Sequence, residues 1–225
     1  MKLVNSRLGI ELELFENQVL NLTIESPERF SEIVYNICMQ VEGAEGEFVL
    51  SNVEKQIPLE KKASVITNPL MVKCDEKRII SQLYKDLSEK IVMDYSDEFA
   101  KVNQHILKFM DLVVNASEYN LTLDVDFQAL GIIKYCNVCV DDYGNNLTEK
   151  FIDYLKALKM ICNTDIVFVL NLKQYFNIDD LKEIYKYCFY AKIYLINIEG
   201  IKTNPIEGDR YIILDKDLCI LDLLH

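Results

Sequence analysis

Apolar residues recur along the chain with several spacings, and each spacing predicts a different element. Residues 8–15 alternate apolar and acidic side chains, which predicts a half-buried strand, and residues 19–24 are expected to pair with it as a hairpin. Residues 166–170 form an unbroken apolar run, the pattern of a strand buried on both faces. A helix over 179–190 and a second apolar strand over 193–198 follow, and this order predicts a right-handed parallel crossover.

The clearest helical block covers residues 79–114, where apolar residues recur every three or four positions. The break falls at residues 94–97, where Asp or Ser can cap a second helix. We therefore expect an antiparallel helical hairpin, whose apolar stripes must bury against each other or against another subunit. Elsewhere the pattern predicts helices beginning at residue 27 and over 147–160, strands at 48–50, 64–66 and 138–140, and a closing hairpin of 211–214 with 218–221.

These elements predict an α/β fold with two parts. Residues 1–75 and 120–225 are expected to form an α/β head, and residues 76–119 a projecting helical leg. The 225 residues are 50% hydrophobic, which is enough for a substantial core. No stretch of 18 uncharged apolar residues occurs, and Glu11 and Glu13 interrupt any signal-peptide core. We expect a cytoplasmic protein that does not span a membrane.

The cysteines predict a reducing environment. Their number, seven, is odd, and they are scattered through apolar segments, as expected for reduced, buried thiols. Cys136 and Cys139 form a single CxxC with no second Cys or His pair to complete a zinc site. Since YCNVCV has the pattern of a strand, we expect these two thiols to pack in the core.

The formal net charge of −12 argues against nucleic acid as a partner, but one segment is basic. Residues 61–78 carry five basic and two acidic side chains, whereas every other part of the chain has an acidic excess. By itself this segment is best interpreted as a solvated loop and helix start.

Most catalytic sites are excluded by residue counts. The seven glycines include no pair with the spacing of a GxxxxGK[ST] or GxGxxG phosphate loop. The two histidines, His105 in a predicted helix and His225 at the terminus, are poor candidates for a catalytic triad. Asn171 and Lys173 follow the apolar strand at the edge where α/β enzymes bind ligands, yet no glycine loop, histidine or convincing acid pair is expected to join them. We interpret them as closing a scaffold strand.

Two acidic clusters are candidate metal-binding sites. Asp124 and Asp126, with Glu118 upstream, supply the hard oxygen ligands that Ca²⁺ takes, as do Asp141, Asp142 and Asn145. Neither group has the spacing of an EF-hand. The alternative is that these residues are solvated strand ends and helix caps.

The order of elements resembles the small accessory protein family of type II-A CRISPR systems. The resemblance covers most of the chain and is carried by NQVLNLTIESPERFSEIVYNI, TNPLMVKCDEKRIISQLYKDL, DIVFVLN, IYLINIE and RYIILDKDL. None of these segments is a catalytic signature. Where the family carries a basic run before the strand at Ile166, this chain has the sequence CNTD.

The resemblance implies a specific fold and function. The implied fold is an α/β head that is related to P-loop ATPases but lacks their nucleotide motifs. The implied assembly is a homotetrameric ring with a lysine-lined hole. The ring would thread double-stranded DNA ends through this hole during CRISPR spacer acquisition, in antiviral defence. The partners would be the CRISPR integrase complex and the effector nuclease, and the protein would not be an enzyme. The candidate DNA-binding residues are Lys55, Lys61, Lys62, Lys73, Lys77 and Arg78. Structural Ca²⁺ would bind Glu118, Asp124 and Asp126.

Two alternatives remain from the sequence. One is a degenerate P-loop-like nucleotide hydrolase, which the glycine count opposes and which ATP turnover dependent on Asn171 or Lys173 would support. The other is a protein-binding scaffold that oligomerises through the helical hairpin.

Overall fold

The computed structural model describes residues 1–52, 55–123, 127–141, 144–217 and 219–223. It divides into two compact units. The first comprises Met1–Cys74 and Asp142–His225, and the second comprises Asp75–Asp141. None of the helices described there is long and apolar enough to cross a membrane.

The first unit contains both strands and helices. The strands are β1 (Lys2–Asn5), β2 (Ile10–Glu13), β3 (Val19–Ile24), β4 (Phe48–Asn52), β5 (Lys55–Ile57), β6 (Ala63–Ile66), β7 (Ile166–Leu170), β8 (Tyr194–Glu199), β9 (Asp209–Leu214) and β10 (Ile220–Leu223). The helices of both units are α1 (Pro27–Val41), α2 (Leu59–Lys62), α3 (Lys77–Asp94), α4 (Ser96–Asn115), α5 (Ala129–Tyr135), α6 (Leu147–Met160) and α7 (Ile178–Ala191). The mixed α/β fold class is confirmed.

The smaller sheet has the order β2-β1-β4-β5, and all of its strand pairs are antiparallel. Its strand β2 alternates buried Ile10 and Leu12 with exposed acids, as the sequence predicts. The predicted pairing of this strand with residues 19–24 is wrong. Strand β2 pairs with β1, because β3 has all six residues buried and lies in the middle of the other sheet.

The larger sheet has the order β10-β9-β3-β8-β7-β6. Its pairs are parallel except for the closing hairpin of β9 and β10. The parallel neighbours β7 and β8 are connected by α7, so the predicted strand, helix and strand are confirmed. A parallel strand buried on both faces needs a nearly continuous apolar run, and Ile166–Leu170 supplies one.

The two faces of the larger sheet differ in chemistry. One face presents residues such as Leu22, Phe168 and Ile196 to a core shared with Ile33 and Ile37 of α1. Because side chains alternate along a strand, the residues between them lie on the opposite face. That face carries buried polar side chains, namely Asn21, Thr23, Asn197, Glu199 and the hydroxyl-bearing Tyr211.

The second unit is helical. Its helices α3 and α4 are separated at Tyr95, within the predicted break, and α3 also packs against α5. Helix α4 buries none of its 20 residues within the described chain. The apolar side chains that it exposes are Val102, Leu107, Phe109, Leu112 and Val113.

The predicted strand at residues 138–140 is wrong, because helix α5 ends immediately before it. Asn137 adopts φ 48°, and the N–H of Val138 bonds to the carbonyl of Ile133, which is the Schellman way of ending a helix. This turn leaves Cys136 and Cys139 exposed, so their expected place in the core is also wrong. Of the seven thiols, only Cys74 and Cys188 are fully buried.

Candidate nucleic-acid interface

The six basic residues predicted to bind DNA are divided between the two units. In the first unit, Lys55 is in β5, Lys61 and Lys62 end α2, and Lys73 follows β6. In the second unit, Lys77 and Arg78 begin α3. All are exposed except Lys62, whose side chain is 25% exposed.

Lys62 is held by an ion pair that the sequence did not predict. Its ammonium nitrogen lies 2.8 Å from Oδ2 of Asp165, and the ammonium nitrogen of Lys159 lies 2.7 Å from Oδ1 of the same carboxylate. Lys62 also donates to the carbonyl of Asn163 at 3.2 Å. One carboxylate is therefore shared by two lysines, and we call these three side chains the Lys62–Asp165–Lys159 cluster.

The topology of the sheet explains this convergence. Lys62 directly precedes β6, Asp165 precedes β7, and Lys192 precedes Ile193 and β8. Because these strands are parallel neighbours, the residues before them meet at the same edge of the sheet. Backbone bonds of 2.8 Å from Asp165 N–H to Lys62 carbonyl and from Tyr194 N–H to Asp165 carbonyl fix the register there.

Lys159 and Lys192 reach this edge from the ends of two helices. Lys159 is in the last turn of α6 and donates at 3.4 Å to the backbone carbonyl of Lys192, the residue that ends α7 with φ 54°. The ammonium group of Lys192 lies 3.8 Å from Glu16. Three lysines are thus opposed by two carboxylates, and the local charge is positive in an acidic chain.

The electrostatics of the cluster keep Asp165 ionised. Partial burial opposes its charge, but hydrogen bonds from Lys159 and Lys62 outweigh that cost and lower the pKa of Asp165 below its ordinary value of 3.8. At neutral pH the cluster therefore carries two ammonium groups and one carboxylate.

A second lysine and aspartate pair lies beyond the other end of β7. The ammonium nitrogen of Lys173 is 2.5 Å from Oδ2 of Asp209, 2.6 Å from the hydroxyl of Tyr211 and 3.1 Å from the carbonyl of Asn204. The Lys173 and Asp209 side chains are 6% and 1% exposed. Asp209 also accepts from Asn21 at 2.8 Å, from Tyr185 at 2.9 Å and from the Ile206 N–H at 2.7 Å.

The polar face of the larger sheet continues this network. The side-chain amide of Asn197 donates to Asn21 at 2.9 Å and to Oε1 of Glu199 at 3.0 Å, and its oxygen accepts from Leu172 N–H at 2.9 Å. Two polar atoms on this face have no partner among the described residues, namely Oε2 of Glu199 and the hydroxyl oxygen of Thr23. These two residues are paired in the register of β8 and β3. Burial raises the pKa of Glu199, although hydrogen bonds from Asn197 and Lys173 oppose that shift.

This network of polar side chains at the carboxyl ends of the parallel strands was not predicted from the sequence. The expectation that no acid pair joins Asn171 and Lys173 is wrong, because Asp209 and Glu199 both contact Lys173. The only sequence signal was the polar residues inside apolar strands, such as Asn21 and Asn197. Each hydrogen of the Lys173 ammonium group has an acceptor, and burial together with the Asp209 charge raises the pKa of the Tyr185 hydroxyl.

Of the three candidate calcium ligands, only Glu118 lies within the described residues. Glu118 is exposed just after α4, while Asp124 and Asp126 lie outside the described residues. Within the described ranges, no three His, Cys, Asp or Glu side chains are grouped as a metal site requires.

The comparisons with known proteins give a family and a set of structural neighbours. A protein-family model described as CRISPR-associated protein (Cas_Csn2) matches residues 40–218, well over half of the chain. Among solved structures, a putative ABC transporter ATP-binding protein from Pyrococcus furiosus is 11% identical with a TM-score of 0.39, and the match covers 90% of this chain and 88% of that one. A dimeric ATP-binding cassette protein in a post-hydrolysis state, bound to ADP and Pi, is 8% identical with a TM-score of 0.39, and the match covers 91% and 84%.

The family match spans all six candidate DNA-binding residues and both lysine and aspartate pairs. The structural neighbours, at TM-scores of 0.39, add no argument. The resemblance stated from the sequence is confirmed: this chain belongs to the Cas_Csn2 family of CRISPR-associated proteins and has a CRISPR-associated role.

Proposed function

We propose that this protein binds double-stranded DNA ends without sequence preference during CRISPR spacer acquisition, as a homotetrameric ring and without catalysing a reaction. The observation that carries the proposal is the family match over residues 40–218, which includes the one basic segment of the chain. The lysines of that segment support it, because Lys55, Lys61, Lys73 and Lys77 are exposed.

Local charge reconciles DNA binding with a net charge of −12. Affinity for the DNA backbone comes from cations that displace condensed counterions at the contact, not from the charge of the whole protein. A ring multiplies a modest basic surface, because each copy adds the same lysines to one hole. The acidic remainder of each copy can then face solvent.

Helix α4 supports the self-association step. Val102, Phe109 and Val113 recur at spacings of seven and four, which places them on one side of the helix, and they are 44%, 63% and 48% exposed. An apolar stripe of this kind is a common mark of a protein interface. We assign it to contacts between copies of the chain.

A comparison of linear and circular DNA tests the ring. Binding of a linear duplex should weaken steeply with salt, show no base preference and be lost when the same duplex is covalently closed. Size-exclusion chromatography with light scattering should show a tetramer. Equal affinity for the linear and closed forms would contradict the proposed threading of DNA through the ring.

Calcium and catalysis are tested separately. We propose Glu118, Asp124 and Asp126 as ligands of a structural Ca²⁺, and adding Ca²⁺ should then shift the tetramer toward tighter assembly. Replacing both aspartates by asparagine should abolish that response. No ATP turnover is expected with or without DNA, and turnover that depends on Lys173 would instead support the hydrolase alternative.

A further inference from the structure

In the Lys62–Asp165–Lys159 cluster, one anionic group is contacted by two ammonium groups. The two oxygens of the Asp165 carboxylate are each contacted by a different ammonium group, at 2.8 and 2.7 Å. A backbone phosphodiester also presents two anionic oxygens on one central atom. Lysines contact phosphates as point charges, so the same two ammonium groups could hold either anion.

The cluster is accessible enough to change its partner. The side chains of Lys62 and Lys159 are each 25% exposed, and that of Asp165 is 22% exposed. Partly solvated ion pairs contribute less to stability than fully buried ones, because water partly screens them. Exchange of the carboxylate for a phosphate therefore need not disturb the fold.

The surroundings of the cluster favour an anion. Lys192 adds a third ammonium group near this edge, and its own ion pair with Glu16 is exposed and 3.8 Å long.

We propose that Lys62 and Lys159 form a backbone-phosphate contact of this protein, and that Asp165 is a built-in competitor that occupies it when DNA is absent. The inference rests on the proposed function and deepens it, by naming a site and the residue that limits its affinity. Asp165 lowers the strength of binding, because a phosphate must displace it.

Binding measurements on matched variants test the site. The probe is a labelled linear duplex of random sequence, measured by fluorescence anisotropy over a series of salt concentrations. The variants are Lys62→Ala, Lys159→Ala and Asp165→Asn. The control is Lys150→Ala, since Lys150 is an exposed lysine at the opposite end of the same helix, α6.

The expected sizes follow from counterion release. With a slope of about 0.9 per phosphate contact, one contact is worth about eightfold in affinity for each tenfold drop in salt. Because the two lysines share one phosphate, Lys62→Ala and Lys159→Ala should each weaken binding by no more than roughly this factor and lower the slope by at most about 1 per copy that contacts DNA. Asp165→Asn, which keeps the shape and an acceptor oxygen, should tighten binding by a similar factor, and Lys150→Ala should have much less effect.

The outcomes separate this inference from the proposed function. If the wild-type protein binds the duplex but Asp165→Asn weakens binding or leaves it unchanged, the competitor role is overturned and the function stands. If both lysine variants match Lys150→Ala, the site is overturned. If neither the wild-type protein nor Asp165→Asn binds the duplex at low salt, the proposed function and the site both fail. Thermal melts of each variant confirm that the folded protein is being compared.

Discussion

The two ends of strand β7 carry the same pair of residue types with opposite consequences. Before the strand, Asp165 meets two lysines whose side chains are 25% exposed. Beyond it, Lys173 meets Asp209 with side chains that are 6% and 1% exposed, and each group has further hydrogen-bond partners. The ion pairs of Asp165 are partly exposed, and lysines there outnumber carboxylates. The Lys173 and Asp209 pair is buried, and its polar groups have further hydrogen-bond partners.

Burial decides what the lysines at each end of β7 can do. A buried ion pair gains from low dielectric only when its remaining hydrogen bonds are made, and removing one partner then leaves an uncompensated charge. A partly exposed pair gains little and loses little. Lys173 is therefore fixed as part of the structure, whereas Lys62 and Lys159 can exchange their carboxylate for another anion.

The largest expected effect is the loss of stability when Lys173 is replaced. Lys173→Met should lower the free energy of unfolding by about 3–5 kcal/mol, because Asp209 is left as a buried, unpaired charge. Urea unfolding followed by circular dichroism measures it. Lys62→Met is the matched control, and it should cost no more than about 1 kcal/mol. Similar losses for the two variants would abolish the distinction between the two ends of β7.

Replacing Glu199 is expected to change the free energy of unfolding by a smaller amount and to increase it. Because burial raises the pKa of its carboxyl group, the folded state binds this proton more tightly than the unfolded state. The stability from this group is present at low pH and is lost as the pH rises from the ordinary value of 4.5 through the raised one. Glu199→Gln removes the charge and should stabilise the protein at pH 7 by about 1–2 kcal/mol.

Thermal melts across the acidic range measure the Glu199 effect. The advantage of Glu199→Gln should shrink as the pH falls toward the ordinary pKa of a glutamate. An unchanged advantage at every pH would mean that packing, not charge, is responsible.

The smallest expected effect concerns Asp165, and its pH dependence has the reverse sign. The folded-state pKa of Asp165 lies below 3.8, so its contribution to stability is present above that pH and is lost as the pH falls through the lowered value. Asp165→Asn should destabilise the protein by at most about 1 kcal/mol at pH 7, since the pair is partly solvated. The difference from wild type should shrink in melts at the lowest accessible pH. A loss of several kcal/mol would show that the cluster is structural.

Local patterns predicted the elements whose sequence suits only one conformation. The apolar run of β7, the helix α6 and the break between α3 and α4 were all placed correctly, because side-chain periodicity and capping are local properties. The prediction of a strand at residues 138–140 was wrong for a related reason. A short apolar stretch fits a strand or a loop equally well, and the end of helix α5 at Asn137 was not apparent from the sequence.

Strand pairing and side-chain partners could not be predicted locally. Residues 19–24 were recognised as a strand, but their true neighbours, β8 and β9, are more than 150 residues away in the chain. In the same way, Lys62 and Asp165 meet only because β6 and β7 are adjacent. Hydrophobic periodicity contains no information about which distant residues become neighbours in the folded chain.

The sequence by itself determined the α/β class, most of the elements, the absence of nucleotide loops and the family resemblance, because these depend on composition, spacing and order along the chain. Only the tertiary structure decided which lysines are engaged and by which acids. Burial and partner geometry are properties of the packed sheet, and they make Lys173 a structural residue while leaving the Lys62–Asp165–Lys159 cluster able to exchange its anion.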